Sequence, residues 1–148
     1  MLFRSDPGAD LVYLAHLNGI DVETFVGPCS IVIALQLSGF SGQRFAFHGY
    51  LPRESADLEL KIKELEKHAA HATQIWMEAP YRSAKMLEQL KVTLQPSTLL
   101  CVATELTLPS QRVMSLPIAK WKVSAQTLQK EPAIFLISCL ALNKKITG

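Results

Sequence analysis

Residues 26–52, VGPCSIVIALQLSGFSGQRFAFHGYLP, decide the fold that this sequence predicts. They begin with a Gly-Pro turn, continue as an apolar helical run broken by Ser-Gly pairs, and end in a short aromatic strand. Gly27 stands where a helix N-cap belongs and Pro28 at the first helical position, because proline has no amide to leave unpaired there. The free amides of Cys29 and Ser30 then face the turn, which suits a polar or anionic ligand group. An ordinary strand-to-helix turn explains the same pattern.

The composition favours one good core or two small lobes with a shared interface. The chain has 148 residues, of which 49% are hydrophobic and 19% charged, and this balance excludes a disordered chain. A net charge of +2 is too small to predict nucleic-acid binding, although a local patch can provide it. The longest apolar run, residues 133–142, is too short to span a bilayer and predicts a buried strand. No signal-peptide pattern opens the sequence.

The cysteines and histidines predict no metal site. Cys29, Cys101 and Cys139 are far apart and odd in number, as is typical of reduced, buried thiols in a cytosolic protein. His68 and His71 are three residues apart at a predicted helix end, but neither has an acidic or thiol partner nearby in the sequence. They indicate a solvated helix face.

Outward from residues 26–52, helices and strands alternate. Before this stretch, Asp6 as N-cap and Pro7 as first residue predict a helix with an apolar stripe that includes Leu11, Leu14 and Leu17. Strands are predicted at residues 21–26, 45–48, 73–78, 99–105, 112–115 and 133–138, and later helices at residues 55–71 and from Pro80 onward. This order predicts the α/β class.

The chain divides near residue 49. Residues 49–54 resemble a linker between a first lobe, residues 1–49, and a second α/β lobe, residues 50–148. The first lobe has only two or three predicted strands, which would leave unpaired edges and an uncovered apolar face. This shortage points to a fragment, a swapped dimer or a partner chain.

Five separated motifs carry a resemblance to a known family. They are SDPGADLV, VGPCSIVIALQLSGF, FAFHGYLPRE, TQIWMEAPYRSAKMLEQL and VATELT, in this order. The chain resembles the tetrapyrrole methylase superfamily, and within it the ribosomal small-subunit RNA methyltransferase I branch, in which the matching motifs read roughly SDPG, PGPSA, FxFxGFLP, FYEAPHR and RELTK.

The resemblance implies a fold, a cofactor and an activity. Family members have an N-terminal lobe with a parallel sheet and a C-terminal lobe with a mixed sheet, and hold S-adenosylmethionine between them. They methylate a tetrapyrrole carbon or, in this branch, a ribose 2′-hydroxyl of ribosomal RNA; they are commonly homodimers, need no metal and do not require a membrane. Residues 1–49 would then be the remnant of the cofactor-binding lobe, and the family's first strand and glycine-rich loop are missing.

The resemblance also assigns site residues. The cofactor would be bound by Gly27, Pro28, Cys29 and Ser30, by Glu78 and Ala79, by Ala103 and Thr104, and by Ile134. Tyr81 and Arg82 match the PHR segment and would face the substrate. Two cations of the family pattern are replaced here by Thr104 and Leu108, and its histidine is replaced by Tyr81.

Glu105 is the candidate catalytic residue. Glu78 and Glu105 are the acids that the motifs place at strand ends, and a hydroxyl acceptor requires a base. We expect Glu105 to act on the substrate and Glu78 to have an architectural role beside the helix that starts at Pro80. Two alternatives remain open: a tetrapyrrole methyltransferase, such as a precorrin or uroporphyrinogen methylase, and a catalytically inert truncated domain.

Overall fold

The structure is a computed structural model that describes residues 8–122, 128 and 131–139. Its helices are α1 (Ala9–Leu17), α2 (Ser30–Ser38), α3 (Ser55–His68) and α4 (Pro80–Thr93), with a 3₁₀ turn at Ile118–Lys120. Its strands are β1 (Phe45–Tyr50), β2 (Thr73–Glu78), β3 (Leu99–Thr104), β4 (Arg112–Pro117) and β5 (Ala133–Ser138). The α/β class is therefore confirmed, whereas the predicted cap at Asp6 and Pro7 lies outside the described residues.

One five-stranded mixed sheet has the order β1-β2-β5-β3-β4. β1 and β2 are parallel, and each of the other three pairs is antiparallel. Because β5 runs against both β2 and β3, the strands β1, β2 and β3 share one direction and end at the same edge of the sheet. Candidate ligand sites of α/β folds lie at such an edge.

Helices cover both faces of the sheet. On one face α3 and α4 bury the predicted stripe of Leu58, Ile62 and Leu65 against β2 and its neighbours. The other face is covered by α2, which buries Ala34 and Leu35. The amphipathic pattern predicted for residues 55–71 is confirmed, with the helix ending three residues earlier than predicted.

The outer side of α2 corrects a prediction. The helix is apolar nearly all round, and we expected it to be buried. Val32 and Leu37 are nevertheless exposed, because α2 lies on the sheet as an outer layer and the described residues place no further element over it.

Residues 20–29 do not form the predicted strand. They adopt neither helix nor strand, and their side chains are exposed. A strand requires a neighbour for its amides and carbonyls, and none of the described strands pairs with this segment. The preceding helix α1 has no buried residue, so that Leu11, Leu14 and Leu17 face solvent. This exposed helix is the uncovered apolar face that the sequence predicts.

The three thiols have different surroundings. Cys101 is buried in β3 as predicted, and desolvation raises its pKa to about 11. Cys29 and Cys139 are exposed, which contradicts the prediction that all three are buried. Cys29 belongs to the exposed segment before α2, and Cys139 directly follows the last residue of β5.

The predicted lobe boundary falls inside β1, which pairs with β2 on both sides of a register shift between Phe47 and Tyr50. Residues 45–50 therefore belong to the same sheet as the rest of the chain. The division at residue 49 stays a prediction. Among the described residues, no helix combines the length and apolar character needed to cross a membrane.

Gly39 ends α2 in the left-handed conformation, with φ at 74°. No atom lies within 4 Å of the position that a Cβ would take there, so alanine would meet backbone strain without a steric clash. We expect Gly39→Ala to lower the free energy of unfolding by about 1 kcal/mol, measured by urea denaturation.

The matched control is Gly42→Ala in the same connection. Its Cβ would make an ordinary contact of 3.8 Å with Leu35 Cδ2, and its φ is outside the left-handed range. Its stability should stay within about 0.5 kcal/mol of the unmodified chain. Equal losses for Gly39→Ala and Gly42→Ala would contradict this account.

Candidate active site

A cavity of about 300 Å³ opens at the edge where β1, β2 and β3 end. Its walls come from the ends of these strands, from the start of α2, and from the loops that precede β5 and follow β3. The lining residues are Ser30, Tyr50, Met77, Glu78, Ala103, Glu105, Leu106, Leu108, Pro132, Ala133 and Ile134.

The floor of this cavity follows from the strand register. Met77 and Ala103 both lie opposite Ile134, on the two sides of β5. Side chains opposite one another in a sheet share a face, so these three form one apolar row. Ser30, the first residue of α2, borders the row at its open side. The result is an apolar floor with a few polar groups at its rim, as is typical of small-molecule sites.

The structure separates the predicted cofactor residues into two groups. Ser30, Glu78, Ala103 and Ile134 line the cavity together with Glu105. The others do not line it: Gly27, Pro28, Cys29, Ala79 and Thr104.

The predicted start of α2 is wrong by two residues. The N-cap is Cys29, in an extended conformation, and the first helical residue is Ser30. Gly27 and Pro28 therefore precede the helix, in the exposed segment. Proline is as compatible with that extended backbone as with a first helical turn, so its presence did not identify the boundary.

Thr104 faces away from the cavity that Ala103 lines. Successive side chains of a strand point to opposite faces, so only one of these two neighbours can contribute to the cavity. Thr104 is buried and contributes to a separate cavity that is also bordered by Arg112 and Trp121.

The Glu78 carboxylate contacts Ala79, the residue before α4, and Arg82 in the first turn of α4. Its Oε1 accepts a hydrogen bond of 3.0 Å from the amide of Ala79, and its Oε2 lies 3.4 Å from Arg82 Nη2. Arg82 Nη2 also donates a hydrogen bond of 3.0 Å to the carbonyl of Pro52. Burial raises the pKa of Glu78, against the opposing effects of the Ala79 amide and the charges of Arg82 and Arg53. These contacts support the architectural role expected for this acid.

The raised pKa of Glu78 predicts a pH-dependent stability. Between the unfolded pKa, near 4.5, and the higher native pKa, the folded chain binds more protons than the unfolded chain. Ionisation of Glu78 therefore lowers stability as pH rises through this range. Glu78→Gln removes the effect, so the stability of the variant relative to the unmodified chain should rise from pH 4 to pH 7 in urea denaturation.

Glu64→Gln is the matched control for this pH series. The hydrogen bond from Lys61 lowers the pKa of the exposed Glu64, so its titration lies below pH 4.5. The relative stability of this variant should fall slightly between pH 4 and about pH 5.5, where the unfolded chain loses its proton, and stay level above it, so it changes in the opposite direction to that of Glu78→Gln. A level profile for Glu78→Gln would contradict the proposed cost of ionising the buried acid.

Glu105 has an unusual backbone. It directly follows β3, borders the cavity and has φ at +50°, and Thr107 two residues later has φ at +69°. The Glu105 carbonyl accepts a hydrogen bond of 3.1 Å from the amide of Leu108, which closes the turn. Non-glycine residues in this region cost about 1–2 kcal/mol each and are frequent at functional sites.

Comparison with curated proteins relates the chain to a ribosomal RNA methyltransferase. The chain is 29% identical over 136 residues to ribosomal RNA small subunit methyltransferase I of Vibrio cholerae, a match that includes 90% of the chain and 46% of the relative. It is 36% identical over 105 residues to the Xylella fastidiosa protein of the same name, with 70% of the chain and 37% of the relative matched. Both similar proteins have the same name, so the curated relatives of this chain are ribosomal RNA small subunit methyltransferases I. The chain spans about half the length of the curated relatives that it matches.

Solved structures identify the fold of this chain as that of the tetrapyrrole methylases. The methyltransferase CobJ superposes with a TM-score of 0.57 at 15% identity, covering 93% of this chain and 59% of CobJ. No family model matches the sequence. At 15% identity this similarity establishes the fold only. The reaction has to be inferred from the residues of the cavity.

Sequence reasoning missed Tyr50 and Met77, which line the cavity. Tyr50 ends β1, and Met77 lies next to Glu78 in β2. Both belong to motifs that match the family, but neither has a side chain that signals chemistry by itself. Their places become evident only from the parallel pairing of β1 with β2, in which Tyr50 lies opposite Met77.

Tyr81 and Arg82 lie in the first turn of α4 and border a different cavity, together with Arg53 and Lys85. Tyr81 is exposed, whereas Arg82 is partly buried by its contacts with Glu78 and Pro52. The Glu78–Arg82 ion pair therefore connects the two cavities. Within the described residues, no three His, Cys, Asp or Glu side chains lie close enough together to hold a metal ion.

Proposed function

We propose that this chain is part of an S-adenosylmethionine-dependent methyltransferase that acts on a ribose 2′-hydroxyl of ribosomal RNA in the cytoplasm. The observation that carries the proposal is the cavity where β1, β2 and β3 end, since its lining includes residues of four segments that the family motifs assign to the cofactor and substrate. The relatives named as ribosomal RNA methyltransferases support the choice of acceptor.

The residues of the cavity fit an adenosyl group. A volume of about 300 Å³ lies at the small end of the range for ligand sites, so it suits part of this cofactor. Met77, Ala103 and Ile134 offer an apolar surface for the adenosine, and Ser30 offers a hydroxyl and a helix-start amide at the rim. When bound, S-adenosylmethionine supplies a methyl group on a sulfonium that leaves as a neutral thioether.

The chain's own residues would position the acceptor and remove its proton. The 2′-hydroxyl oxygen forms a bond to the methyl carbon, and its proton must pass to a base. Glu105 borders the cavity and carries a carboxylate suited to this step. Glu78 is already engaged with Ala79 and Arg82, so it orients α4 and does not serve as the base.

Calorimetric titration with S-adenosylmethionine tests the proposal. We expect saturable binding by this chain, and Ala103→Trp should abolish it because the larger side chain would fill the apolar floor. Circular dichroism confirms that the variant folds. Absence of binding by the folded chain would contradict the proposal and favour the inert domain.

The alternative acceptor is a tetrapyrrole carbon. The similarity in fold to CobJ favours it, and Thr104 and Leu108 stand where the family's RNA-methylating branch has cations. Transfer of a tritiated methyl group separates the two acceptors. We expect incorporation into small-subunit ribosomal RNA, and incorporation into uroporphyrinogen alone would select the alternative.

We further propose that the chain acts as a homodimer. The exposed α1, with Leu11, Leu14 and Leu17 facing solvent, offers an apolar surface for a second copy, and the family resemblance implies the same assembly. Sedimentation velocity should give a dimer, and Leu14→Lys should shift it to the monomer. A monomer at all concentrations would contradict this assembly.

A further inference from the structure

A second cavity, of about 240 Å³, lies between the start of α3 and the first half of α4. It shares no lining residue with the cavity at the strand ends. Three cations border it, Arg53, Arg82 and Lys85, and no carboxylate is among its lining residues. Tyr81 is at its rim, with 74% of its surface exposed.

The cations of this cavity differ from two lysines on α3 and α4. Lys63 pairs with Glu59 on α3, and Lys91 pairs with Glu88 on α4. Within residues 8–122, 128 and 131–139, neither Arg53 nor Lys85 has an ion pair or a side-chain hydrogen bond. Two cations without an ion-pair partner beside one concave surface make the local potential favourable to an anion.

Arg82 adds a fixed third cation. Its Nη2 is held by the carbonyl of Pro52 at 3.0 Å and by Glu78 Oε2 at 3.4 Å. No contact recorded among the described residues uses its Nη1 or Nε. A guanidinium has five N–H donors in a planar fork that matches phosphate oxygens, so the remaining donors are available to a ligand.

We infer that this cavity holds a phosphodiester of the RNA strand whose ribose is methylated, with Arg53 and Lys85 as its principal contacts. The inference rests on the proposed function. Tyr81, exposed at the rim, offers a ring on which an adjacent base stacks. The Glu78–Arg82 ion pair places the phosphate site next to the reaction cavity.

The test compares two double variants with equal changes in net charge. Arg53→Gln with Lys85→Gln removes the two cations of the cavity that have no ion pair, and Lys63→Gln with Lys91→Gln removes two paired cations, one on α3 and one on α4. Fluorescence anisotropy measures the binding of a labelled single-stranded RNA between about 50 and 200 mM salt.

The cavity variant should bind roughly tenfold more weakly, and the slope of log affinity against log salt should fall in magnitude by about 1.4, or about 0.7 per cation. The control variant should keep the affinity and slope of the unmodified chain. Equal behaviour of the two double variants, or no RNA binding by the unmodified chain, would overturn the inference.

Inorganic phosphate distinguishes a free-anion site from an RNA site. Calorimetric binding of phosphate that is lost in the cavity variant, without RNA binding, would also overturn the inference. Titration of the same variants with S-adenosylmethionine shows whether the cofactor site is intact when RNA binding is lost. The cavity variant should bind the cofactor as the unmodified chain does, so loss of RNA binding alone reports on the phosphate site.

Discussion

Replacing Glu105 with glutamine should lower the rate of methyl transfer by about 10²–10⁴-fold, because the amide cannot accept the proton of the ribose hydroxyl. Glu105 borders the cavity and directly follows β3, where a turn closed by Leu108 fixes its backbone. Glutamine keeps the size of the side chain and its backbone requirements. The rate is measured as tritiated methyl groups transferred to small-subunit ribosomal RNA by the full chain.

Two variants separate catalysis from folding at this position. Glu88→Gln changes an acid on α4 that pairs with Lys91 and lies outside both cavities, so it should retain the full rate. Glu105→Gly removes the strain of a positive φ but increases the backbone entropy that is lost on folding. The free energy of unfolding of this variant should therefore be about 0–1 kcal/mol higher than that of the unmodified chain. This variant should nevertheless lose activity as Glu105→Gln does.

A normal rate for Glu105→Gln would show that Glu105 is not the base that accepts the hydroxyl proton. Loss of cofactor binding in calorimetry, with little further loss of rate at saturation, would instead assign it to the cofactor.

The sequence predicted β2 and α4 better than it predicted the segment before α2. The strand at residues 73–78 and the helix beginning at Pro80 are confirmed to the residue. Proline at the first helical position and a short apolar run before it mark both boundaries by local chemistry. The buried side of α4, with Met86, Leu87 and Leu90, follows from helical periodicity in the same way.

The segment before α2 shows why the strand prediction at residues 21–26 was wrong. Residues 21–26 have the β-rich composition of a strand, but a strand exists only where a neighbour pairs with it. Their side chains are exposed, and Phe25 has 95% of its surface accessible. Local propensity carries no information about whether a partner strand is present. The misplaced cap at Gly27 has a different cause, because Pro28 fits an extended backbone as well as a first helical turn.

The residues of the candidate site could be predicted from the family motifs but not from the chemistry of their side chains. Ser30 and Ile134 came from the family resemblance, and their shared cavity depends on how α2 and β5 meet. The positive φ of Glu105 had no signal in the sequence, since glutamate rarely adopts it. Thr104 shows the opposite error, because a motif names neighbouring residues while a strand directs them to opposite faces.

Phe135→Ala should lower the free energy of unfolding by about 3–5 kcal/mol, a large share of the stability of a domain of this size. Phe135 is fully buried in β5 and stacks on Trp76 of β2, with ring centroids 5.7 Å apart and planes 8° from parallel. The truncation leaves a cavity between the sheet and the α3–α4 layer and removes the aromatic pair. Urea denaturation followed by far-ultraviolet circular dichroism measures the loss.

The position in the sheet, and not the residue type, sets the size of this effect. Phe45→Ala removes the same ring from β1, the edge strand, where the side chain is 45% exposed, and should cost no more than about 1 kcal/mol. Phe135→Leu retains most of the buried volume and should fall between the two alanine variants. Losses of equal size at positions 45 and 135 would mean that the core lies elsewhere than between β2, β5 and the two helices that cover them.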